Sequence, residues 1–254
     1  MSDTRLSLVR DGAIAIMTLQ RPEKLNALDA AMVAALEHFA NEIDADPDIR
    51  VCIITGSGEK SFCAGGDIEA WSKHGSHEFG MAWVKQGHRA FDALARMRQP
   101  LIAALNGHTL GGGLELATTA DFRIAEDHIR IGLPETGIGI IPGWSGTQRA
   151  VRRFGAQVIR RMALVGEVFD ATECLNLGLV DQVVPRGQSL QAAKDMAGRI
   201  IARGAFATSA TKMLINAAED ENTEAALEAM GGIAAASHDQ LKTKVTEFLG
   251  RKKK

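Results

Sequence analysis

Three glycines and a glutamate stand close together near the middle of the chain. Gly111, Gly112 and Gly113 are consecutive, and Glu115 lies three residues after Gly112. Glycines at the start of a helix expose backbone N–H donors and the positive end of the helix dipole, which suits an anion or a developing oxyanion. Glu115 would project from roughly the same face, one turn further on. A triple glycine can also mark a tight backbone crossing, and a glutamate early in a helix often serves the dipole alone.

A second carboxylate stands alone in the apolar, glycine-rich segment Gly132–Gly143. This is Glu135, twenty residues after Glu115, a separation of about 30 Å if both lay on one straight helix. The residues between them predict two short strands, Phe122–Ala125 and Ile129–Gly132, joined by a polar turn. We expect this strand–turn–strand to go out and come back, which returns Glu135 close to the helix that bears Glu115.

Small residues mark a third segment, Ser61–Ile68, with the sequence SFCAGGDI. It follows a predicted strand and leads into a helical turn, so backbone N–H groups there can approach a ligand closely. Together the three segments supply two carboxylates and several backbone donors. That combination is what acid–base chemistry beside an enolate requires.

Alternating strands and helices must position these groups over the first 187 residues. Apolar runs predict strands, and helical spacing of apolar residues predicts a helix at Asp29–Ile43. Asp170 to Glu173 has the form of a helix capping box. The other predicted strands are Ala13–Leu19, Val51–Thr55, Pro100–Leu105 and Leu179–Val184.

The last part of the chain has little strand character. Four helical stretches are predicted there: Ser189–Arg203, Ala205–Ala218, Thr223–Ala236 and His238–Leu249. No Pro/Ser-rich linker precedes them. We therefore predict an α/β core over residues 1–187, which holds the active site, with a helical C-terminal subdomain over residues 188–254.

Composition narrows the functional class. Twenty-nine basic residues face 31 acidic ones, and four of the positive charges form the terminal run Arg251–Lys254. The rest of the chain is therefore acidic, which disfavours nucleic acid as a partner. No apolar run approaches the roughly 20 residues that span a bilayer, and no signal-peptide pattern opens the sequence. Three cysteines are an odd number for a disulfide framework, so we expect buried or inert thiols in the cytoplasm.

The sequence resembles the enoyl-CoA hydratase/isomerase, or crotonase, family over nearly its whole length. The most specific match is Asn106–Glu115 (NGHTLGGGLE) combined with Pro134-Glu135 and Pro142-Gly143. The other matching segments are RPEKLNAL at 21–28, Phe62–Ile68, Ala104–Ala125, GTQR at 146–149 and Ala171–Val184.

This resemblance implies a spiral of repeated ββα units, with the helical C-terminus used in a homotrimer or a dimer of trimers. It also implies an acyl-CoA thioester as substrate, with no metal and no cofactor apart from the coenzyme A of the substrate itself. By position, Glu115 and Glu135 are the catalytic pair, and the N–H groups of Ala64 and Gly112 form the oxyanion hole. The implied CoA-binding residues are Lys24, Leu25, Ala27, Ala64, Gly65, Gly66, Asp67 and Ile68.

Retention of both glutamates favours a hydratase, or the reverse dehydratase. Isomerases of the family commonly keep one acid/base carboxylate, because they only move a proton. Trp144 stands where the family often has a smaller residue, and we expect it to shape the acyl pocket with Trp71 and Leu133. A 3,2-enoyl-CoA isomerase of the same fold stays the alternative, and a non-catalytic trimeric scaffold or RNA-binding member is a third reading.

Three other patterns are set aside. Gly137–Pro142 begins like a dinucleotide fingerprint, but proline occupies the third-glycine position and no βαβ unit follows. His74, His77 and Glu78 have loose ligand-like spacing without a third partner. We expect the basic tail Arg251–Lys254 to be a solvated chain end. The alternative is that it contacts the phosphates of CoA.

Overall fold

The computed structural model describes residues 5–73 and 75–221, and within these residues ten strands form two sheets. In chain order the strands are β1 Leu6–Asp11, β2 Ile14–Leu19, β3 Val51–Gly56, β4 Ser61–Cys63, β5 Leu101–Leu105, β6 His108–Leu110, β7 Phe122–Glu126, β8 Arg130–Gly132, β9 Val168–Asp170 and β10 Gln182–Val184.

Helices connect and cover these strands. The α-helices are α1 Ala30–Ala45, α2 Ile68–Trp71, α3 Ser76–Glu78, α4 Lys85–Arg96, α5 Gly112–Ala117, α6 Arg149–Phe154, α7 Ala156–Arg160, α8 Ala171–Asn176, α9 Ser189–Ile201 and α10 Ala205–Ala218. Wider π-helical turns lie at Phe79–Val84 and Arg161–Val165, and 3-10 turns lie at Pro22–Lys24 and Glu135–Ile138.

The larger sheet has six strands in the order β1-β2-β3-β5-β7-β10. Only β1 and β2 pair antiparallel, and the remaining neighbours are parallel. Side chains alternate along β3: Cys52 and Ile54 face the main core, while Val51 and Ile53 face a second cluster beneath α9. This is the period-two pattern of a strand covered on both faces.

Aspartate side chains cap the first turns of helices α1 and α8. The Asp29 side chain accepts hydrogen bonds from the N–H groups of Ala31 and Met32 at the start of α1. Asp170 and Glu173 form the reciprocal capping box at the start of α8, as predicted.

The smaller sheet positions the candidate site. Its order is β4-β6-β8-β9, and β4, β6 and β8 run parallel as neighbours. Their carboxyl ends therefore meet at one edge, and each strand leads directly into one of the three segments identified in the sequence. The chain repeatedly leaves the large sheet for the small one, from β3 to β4, from β5 to β6 and from β7 to β8. These repeats confirm the predicted α/β spiral of ββα units.

Two details differ from the sequence prediction. β7 and β8 do not fold back on each other as a strand–turn–strand, because β7 belongs to the large sheet and β8 to the small one. Glu135 still returns to the site, since β8 lies beside β6. The strand predicted at Leu179–Val184 begins only at Gln182, and Leu179 and Val180 are instead buried core residues.

The C-terminal prediction is seen in part. α9 and α10 occupy the first two predicted helices, and α9 covers one face of the large sheet through Ala193 and Ala197. The helices predicted at Thr223–Ala236 and His238–Leu249 lie outside the described residues. The separate subdomain over residues 188–254 stays a prediction.

Candidate active site

A cavity of about 230 Å³ opens at the carboxyl ends of β4, β6 and β8. Each strand contributes the residues that follow it: Ala64 to Gly66 after β4, Gly111 and Gly112 after β6, and Pro134 and Glu135 after β8. Glu115, one turn into α5, also lines the cavity. The fold thus brings together three segments that lie well apart in the sequence.

The glycines before α5 are required by close packing. Gly111 has φ +56° and donates its N–H to the carbonyl oxygen of Gly132 at 2.9 Å. A Cβ on Gly113 would lie 2.0 Å from the carbonyl oxygen of Cys63, so no larger residue fits there. Both readings of the triple glycine therefore hold: Gly113 serves a backbone crossing, and Gly112 starts the helix with an N–H that no intrahelical carbonyl accepts.

One predicted oxyanion donor is corrected by the hydrogen bonding after β4. The N–H of Ala64 donates to the carbonyl oxygen of Leu25 at 3.1 Å, so this donor is already used. The N–H of Gly66 meets no acceptor among the described residues, and Gly66 lines the cavity. We therefore replace Ala64 by Gly66 as the candidate partner of Gly112.

Gly65 sets the two candidate donors side by side. It has φ +98°, and a Cβ at this position would lie 3.0 Å from the backbone nitrogen of Gly112. A Cβ on Gly112 would in turn lie 3.3 Å from the Cα of Gly65. The missing Cβ of Gly65 allows the two strand ends to approach each other this closely, and a Cβ on Gly112 would make a tight contact with Gly65.

The carboxylate of Glu115 is buried and firmly held. Its Oε1 accepts hydrogen bonds from the backbone N–H groups of Trp144 and Gly146, each at 2.7 Å, and the residue is 2% exposed. Burial and the nearby Glu135 raise the pKa of Glu115 to about 7, although the hydrogen bonds from Trp144 and Gly146 act to lower it. A pKa near neutrality lets this carboxyl group accept or release a proton.

The carboxyl group of Glu135 is buried, in contrast to Glu115, without hydrogen bonds from the described residues. Neither oxygen has a hydrogen-bond partner among the described residues, and burial raises the pKa of Glu135 to about 7. Its Oε1 would lie 3.0 Å from a Cβ on Gly111, which places the carboxyl directly against the turn that opens α5. A buried carboxyl with no donors favours its neutral, protonated form.

The loop before α1 is tied to the segment after β4 by an ion pair. Arg21 Nη1 lies 2.7 Å from Asp67 Oδ2 and also donates to the carbonyl oxygen of Ala27 at 3.0 Å. Burial works to raise the pKa of Asp67, but the hydrogen bond and charge of Arg21 outweigh it and hold that pKa below its usual range. Asp67 also caps α2 through Glu69 and Ala70, so its carboxylate serves the fold.

Four of the eight candidate CoA-binding residues line the cavity: Ala64, Gly65, Gly66 and Ile68. Lys24 is exposed and pairs with Glu69 at 2.6 Å, and Leu25 is also exposed, with φ +54°. Ile68 is half exposed and lines the cavity, as do Gly65 and Gly66. Lys24, Leu25, Ala27 and Asp67 do not line the cavity. The role of all these residues toward CoA stays a prediction.

Asn26 holds this loop in place, and sequence reasoning did not single it out. It is fully buried, with φ +56°, and its amide donates to the carbonyl oxygens of Ser57 and Ser61 at 3.0 and 2.9 Å. Its Oδ1 accepts the N–H of Arg21 at 2.9 Å. Its partners Ser57 and Ser61 lie 31 and 35 residues further along the chain, so residue type alone does not mark it.

Two of the three predicted acyl-pocket residues line the cavity. Trp144 is 3% exposed, its ring packs against Trp83 and Phe91, and its Nε1 donates to the carbonyl oxygen of Trp83 at 3.3 Å. Trp71 is half-buried and stacks at a tilt on Phe79. Leu133 does not line the cavity, because β8 directs its side chain into the hydrophobic core.

Further wall residues come from the π-helical turn Phe79–Val84, which the sequence prediction passed over. Phe79, Trp83 and Val84 all line the cavity there. Short π-helical turns often mark functional sites, because the extra residue per turn redirects side chains. Isoleucines 138, 140 and 141 complete the apolar lining.

The remaining sequence expectations concern cysteines, metals and membranes. Cys52, Cys63 and Cys174 are free and buried, and burial raises the pKa of each thiol to about 12, so all three are inert as predicted. Among residues 5–73 and 75–221 no cluster of three metal-ligating side chains occurs. His74 lies outside these residues. Over the same ranges, none of the helices is both long and apolar enough to cross a bilayer.

Comparison with known proteins agrees with the geometry. Residues 10–254 match the sequence model of the enoyl-CoA hydratase/isomerase family. The chain is 35% identical to a short-chain-enoyl-CoA hydratase of Clostridium acetobutylicum, over 97% of this chain and 95% of the relative. It is also 35% identical to a crotonyl-CoA hydratase of Syntrophomonas wolfei, over 100% of this chain and 98% of the relative.

A solved structure gives the same result for the fold. The crystal structure of an enoyl-CoA hydratase from Bacillus anthracis superposes with a TM-score of 0.83 and 29% sequence identity. The match covers 98% of this chain and 97% of that one. The similarity therefore extends over both sheets and the helices between them.

Proposed function

Because the chain belongs to the enoyl-CoA hydratase/isomerase family, we propose that it adds water reversibly to a 2-enoyl-CoA thioester and gives a 3-hydroxyacyl-CoA. One observation carries this proposal. Two glutamates with pKa values raised to about 7 line the same cavity as Gly66 and Gly112, whose backbone N–H groups meet no acceptor in the part of the chain that the structure describes. This is the donor and acid–base set of a hydro-lyase.

The N–H groups of Gly66 and Gly112 are assigned to the thioester oxygen. When water adds to C3, negative charge moves through the conjugated system onto that oxygen. Two donors already aimed into an apolar cavity stabilise the enolate without having to reorganise. Gly112 is the first residue of α5, so the positive end of that helix adds to the effect.

The two glutamates take different roles because their surroundings differ. Two backbone donors favour the ionised form of Glu115, so we assign it as the base that removes a proton from the attacking water. Glu135 accepts no hydrogen bond from the described residues and favours the protonated form, so we assign it as the acid that delivers a proton to C2. Hydroxide bonds to C3 as the double bond opens, and each catalytic cycle moves one proton from Glu115 back to Glu135.

We infer a short acyl group from the size and lining of the cavity. About 230 Å³ must hold the thioester, the reacting carbons and the acyl tail, and Trp144 fills the space between α4 and α5. The two relatives compared above carry the names of short-chain and crotonyl-CoA hydratases, which supports the same inference. No cofactor beyond the CoA of the substrate enters the proposed reaction.

We also propose that the protein assembles as a homotrimer or a dimer of trimers and acts in the cytoplasm. Exposed apolar side chains on α10, Phe206, Leu214 and Ile215, support an oligomeric state. Three buried, unpaired thiols suit a reducing compartment. Sedimentation of the purified protein measures the number of subunits.

The test of the reaction uses crotonyl-CoA and follows the ultraviolet absorbance of the conjugated thioester. Loss of that absorbance on addition of enzyme, with 3-hydroxybutyryl-CoA as product, is the expected result. A parallel assay with 3-enoyl-CoA thioesters measures isomerisation. A protein that isomerises 3-enoyl-CoA but adds no water to 2-enoyl-CoA would be the isomerase alternative.

A further inference from the structure

The turn that holds Glu115 contains a serine in a conformation that usually belongs to glycine. Ser145 has φ +76°, and it lies between Trp144 and Gly146, the two residues whose N–H groups donate to Glu115. A positive φ at the central residue turns successive N–H groups toward one side, where they form a concave anion-binding site. The two hydrogen bonds that Glu115 accepts from this turn therefore depend on the backbone angle φ of Ser145.

Serine adopts this angle reluctantly, since its Cβ crowds the backbone in the left-handed region. Something in the surrounding structure must hold it there. Ser145 is 7% exposed, and its Oγ shares a hydrogen bond with Nδ1 of His88 at 3.1 Å. Its carbonyl oxygen accepts the N–H of Arg149 at 2.9 Å, which begins the turn into α6.

α4 contacts the same turn a second time, one residue before His88. A Cβ on Gly87 would lie 1.9 Å from Nε1 of Trp144, so Gly87 leaves the space that the indole occupies. The ring of Trp144 and the hydroxyl of Ser145 are thus both fixed by consecutive residues of α4. Helix α4 therefore contacts the turn at two adjacent positions behind Glu115.

We propose that His88 is a positioning residue: through its hydrogen bond to Ser145 it holds the left-handed turn whose two N–H groups aim at Glu115. His88 does not line the cavity, so it acts through the turn and not on the substrate. The proposal deepens the proposed hydratase function, because its kinetic effect rests on Glu115 acting as the base. Its structural effect, on the ionisation of Glu115, does not depend on which reaction is catalysed.

Four variants test it: Ser145→Ala, His88→Ala, Ser145→Gly and the double variant His88→Ala with Ser145→Gly. Ser145→Ala keeps the backbone constraint but loses the hydroxyl, and His88→Ala removes the partner. We expect each to lower kcat for crotonyl-CoA hydration by about 10- to 100-fold with little change in KM, as a misaimed catalytic group does. Circular dichroism and thermal melting confirm that each variant is folded.

Glycine adopts a positive φ freely, so it should make the hydrogen bond unnecessary. Ser145→Gly is expected to recover most of the turnover lost in Ser145→Ala. When Ser145→Gly is already present, His88→Ala should cost less than about threefold, far less than it costs in the native chain. A loss of equal size in both backgrounds would overturn the proposal, because His88 would then act by another route.

A second measurement reports on the ionisation of Glu115 directly. Infrared difference spectra between pH 5 and pH 9, referenced to Glu115→Gln, follow the carboxyl band of Glu115. Weaker donation from the turn should raise the pKa of Glu115 in Ser145→Ala and His88→Ala by about half a unit to one unit, and Ser145→Gly should reverse the rise. An unchanged titration in both alanine variants would contradict the proposal. If the native enzyme adds no water to crotonyl-CoA, the proposed function fails while this titration still decides the role of His88.

Discussion

The backbone N–H of Trp144 donates to Oε1 of Glu115 at 2.7 Å, while the indole of the same residue forms a wall of the cavity. One residue therefore holds a candidate acid–base group with its main chain and limits the acyl space with its side chain. Since different atoms serve the two purposes, substitutions of the side chain can separate them.

Trp144→Ala is expected to change substrate preference more than chemistry. Removing the indole enlarges the pocket, so kcat/KM for longer or bulkier acyl thioesters should rise relative to crotonyl-CoA. Because the ring is buried against Trp83 and Phe91, the free energy of unfolding should also fall by about 3–5 kcal/mol. A panel of enoyl-CoA thioesters and a denaturant titration measure both effects. Unchanged ratios of kcat/KM across the panel would remove Trp144 from the acyl pocket.

Gly112→Pro tests the oxyanion hole. Proline is tolerated at the first position of a helix, where it removes the N–H and places its Cδ in the position of that hydrogen. Turnover should fall by about 10²–10³, the cost of removing one such donor. Gly112→Ala is the matched control, because it keeps the N–H and adds a Cβ that lies 3.0 Å from the ring of Trp144.

The two variants must differ for the assignment to stand. We expect Gly112→Ala to retain most of the turnover lost in Gly112→Pro, once the ring of Trp144 moves by a few tenths of an ångström. Equal losses would point to crowding, and near-normal turnover in a folded Gly112→Pro would rule out this donor. The same pair of substitutions at Gly66 tests the other donor.

Much of this site follows from the sequence, because glycine runs and isolated carboxylates are visible there. Glu115, Glu135 and Gly112 were identified together, and all three line one cavity. The order of the strands could not be read in the same way. Strands β4, β6 and β8 have three residues each, too short for a periodic signal, and their pairing brings the segments together.

Residue type alone could not decide whether Ala64 or Gly66 supplies the second oxyanion donor. Both are small residues after one strand, and either could offer an N–H to a ligand. What separates them is that the chain near Leu25 passes close enough to accept the N–H of Ala64. Such a long-range main-chain contact leaves no mark in residue type, so only the structure assigns the donor.

Stability should depend on pH through Glu135. Its pKa is about 7 in the folded protein, against a reference value of 4.5, so between these values the folded chain binds more protons than the unfolded chain. The free energy of unfolding therefore loses a contribution as pH rises from about 4.5 to about 7, and that contribution stays absent above pH 7. Glu135→Gln, which cannot ionise, should lack this loss.

The comparison of native protein with Glu135→Gln removes the titration of Glu135 together with the part of the Glu115 pKa shift that the charge of Glu135 causes. At pH 8 the variant should be more stable than the native protein by about 2 kcal/mol, and near pH 5 the difference should shrink toward zero. Urea unfolding at both pH values measures it. A difference that is the same at pH 5 and pH 8 would show that burial does not raise the pKa of Glu135.

Arg21→Lys is expected to weaken substrate binding more than turnover. Nη1 of Arg21 contacts both Asp67 and the carbonyl oxygen of Ala27, and the lysine side chain is one bond shorter, so its ammonium falls short of that position. Looser packing of the loop before α1 against the segment after β4 should raise KM for crotonyl-CoA by about tenfold with a smaller change in kcat. The matched control is Arg10→Lys, on β1 and away from the cavity, where Arg10 forms an exposed ion pair with Asp46. Equal KM values in the two variants would contradict a role for the Arg21 contacts.

Hydration requires both glutamates in the proposed mechanism, Glu115 as the base toward water and Glu135 as the acid toward C2. The most direct measurement is the initial rate of crotonyl-CoA hydration by Glu115→Gln, Glu135→Gln and the double variant, with 3-enoyl-CoA isomerisation measured alongside. Each single substitution should lower hydration by about 10²–10⁴, and the double variant should fall by much less than the product of the two losses. All three variants should still bind acyl-CoA. If one glutamate proves dispensable while the protein isomerises 3-enoyl-CoA, the paired mechanism is wrong and the isomerase takes its place.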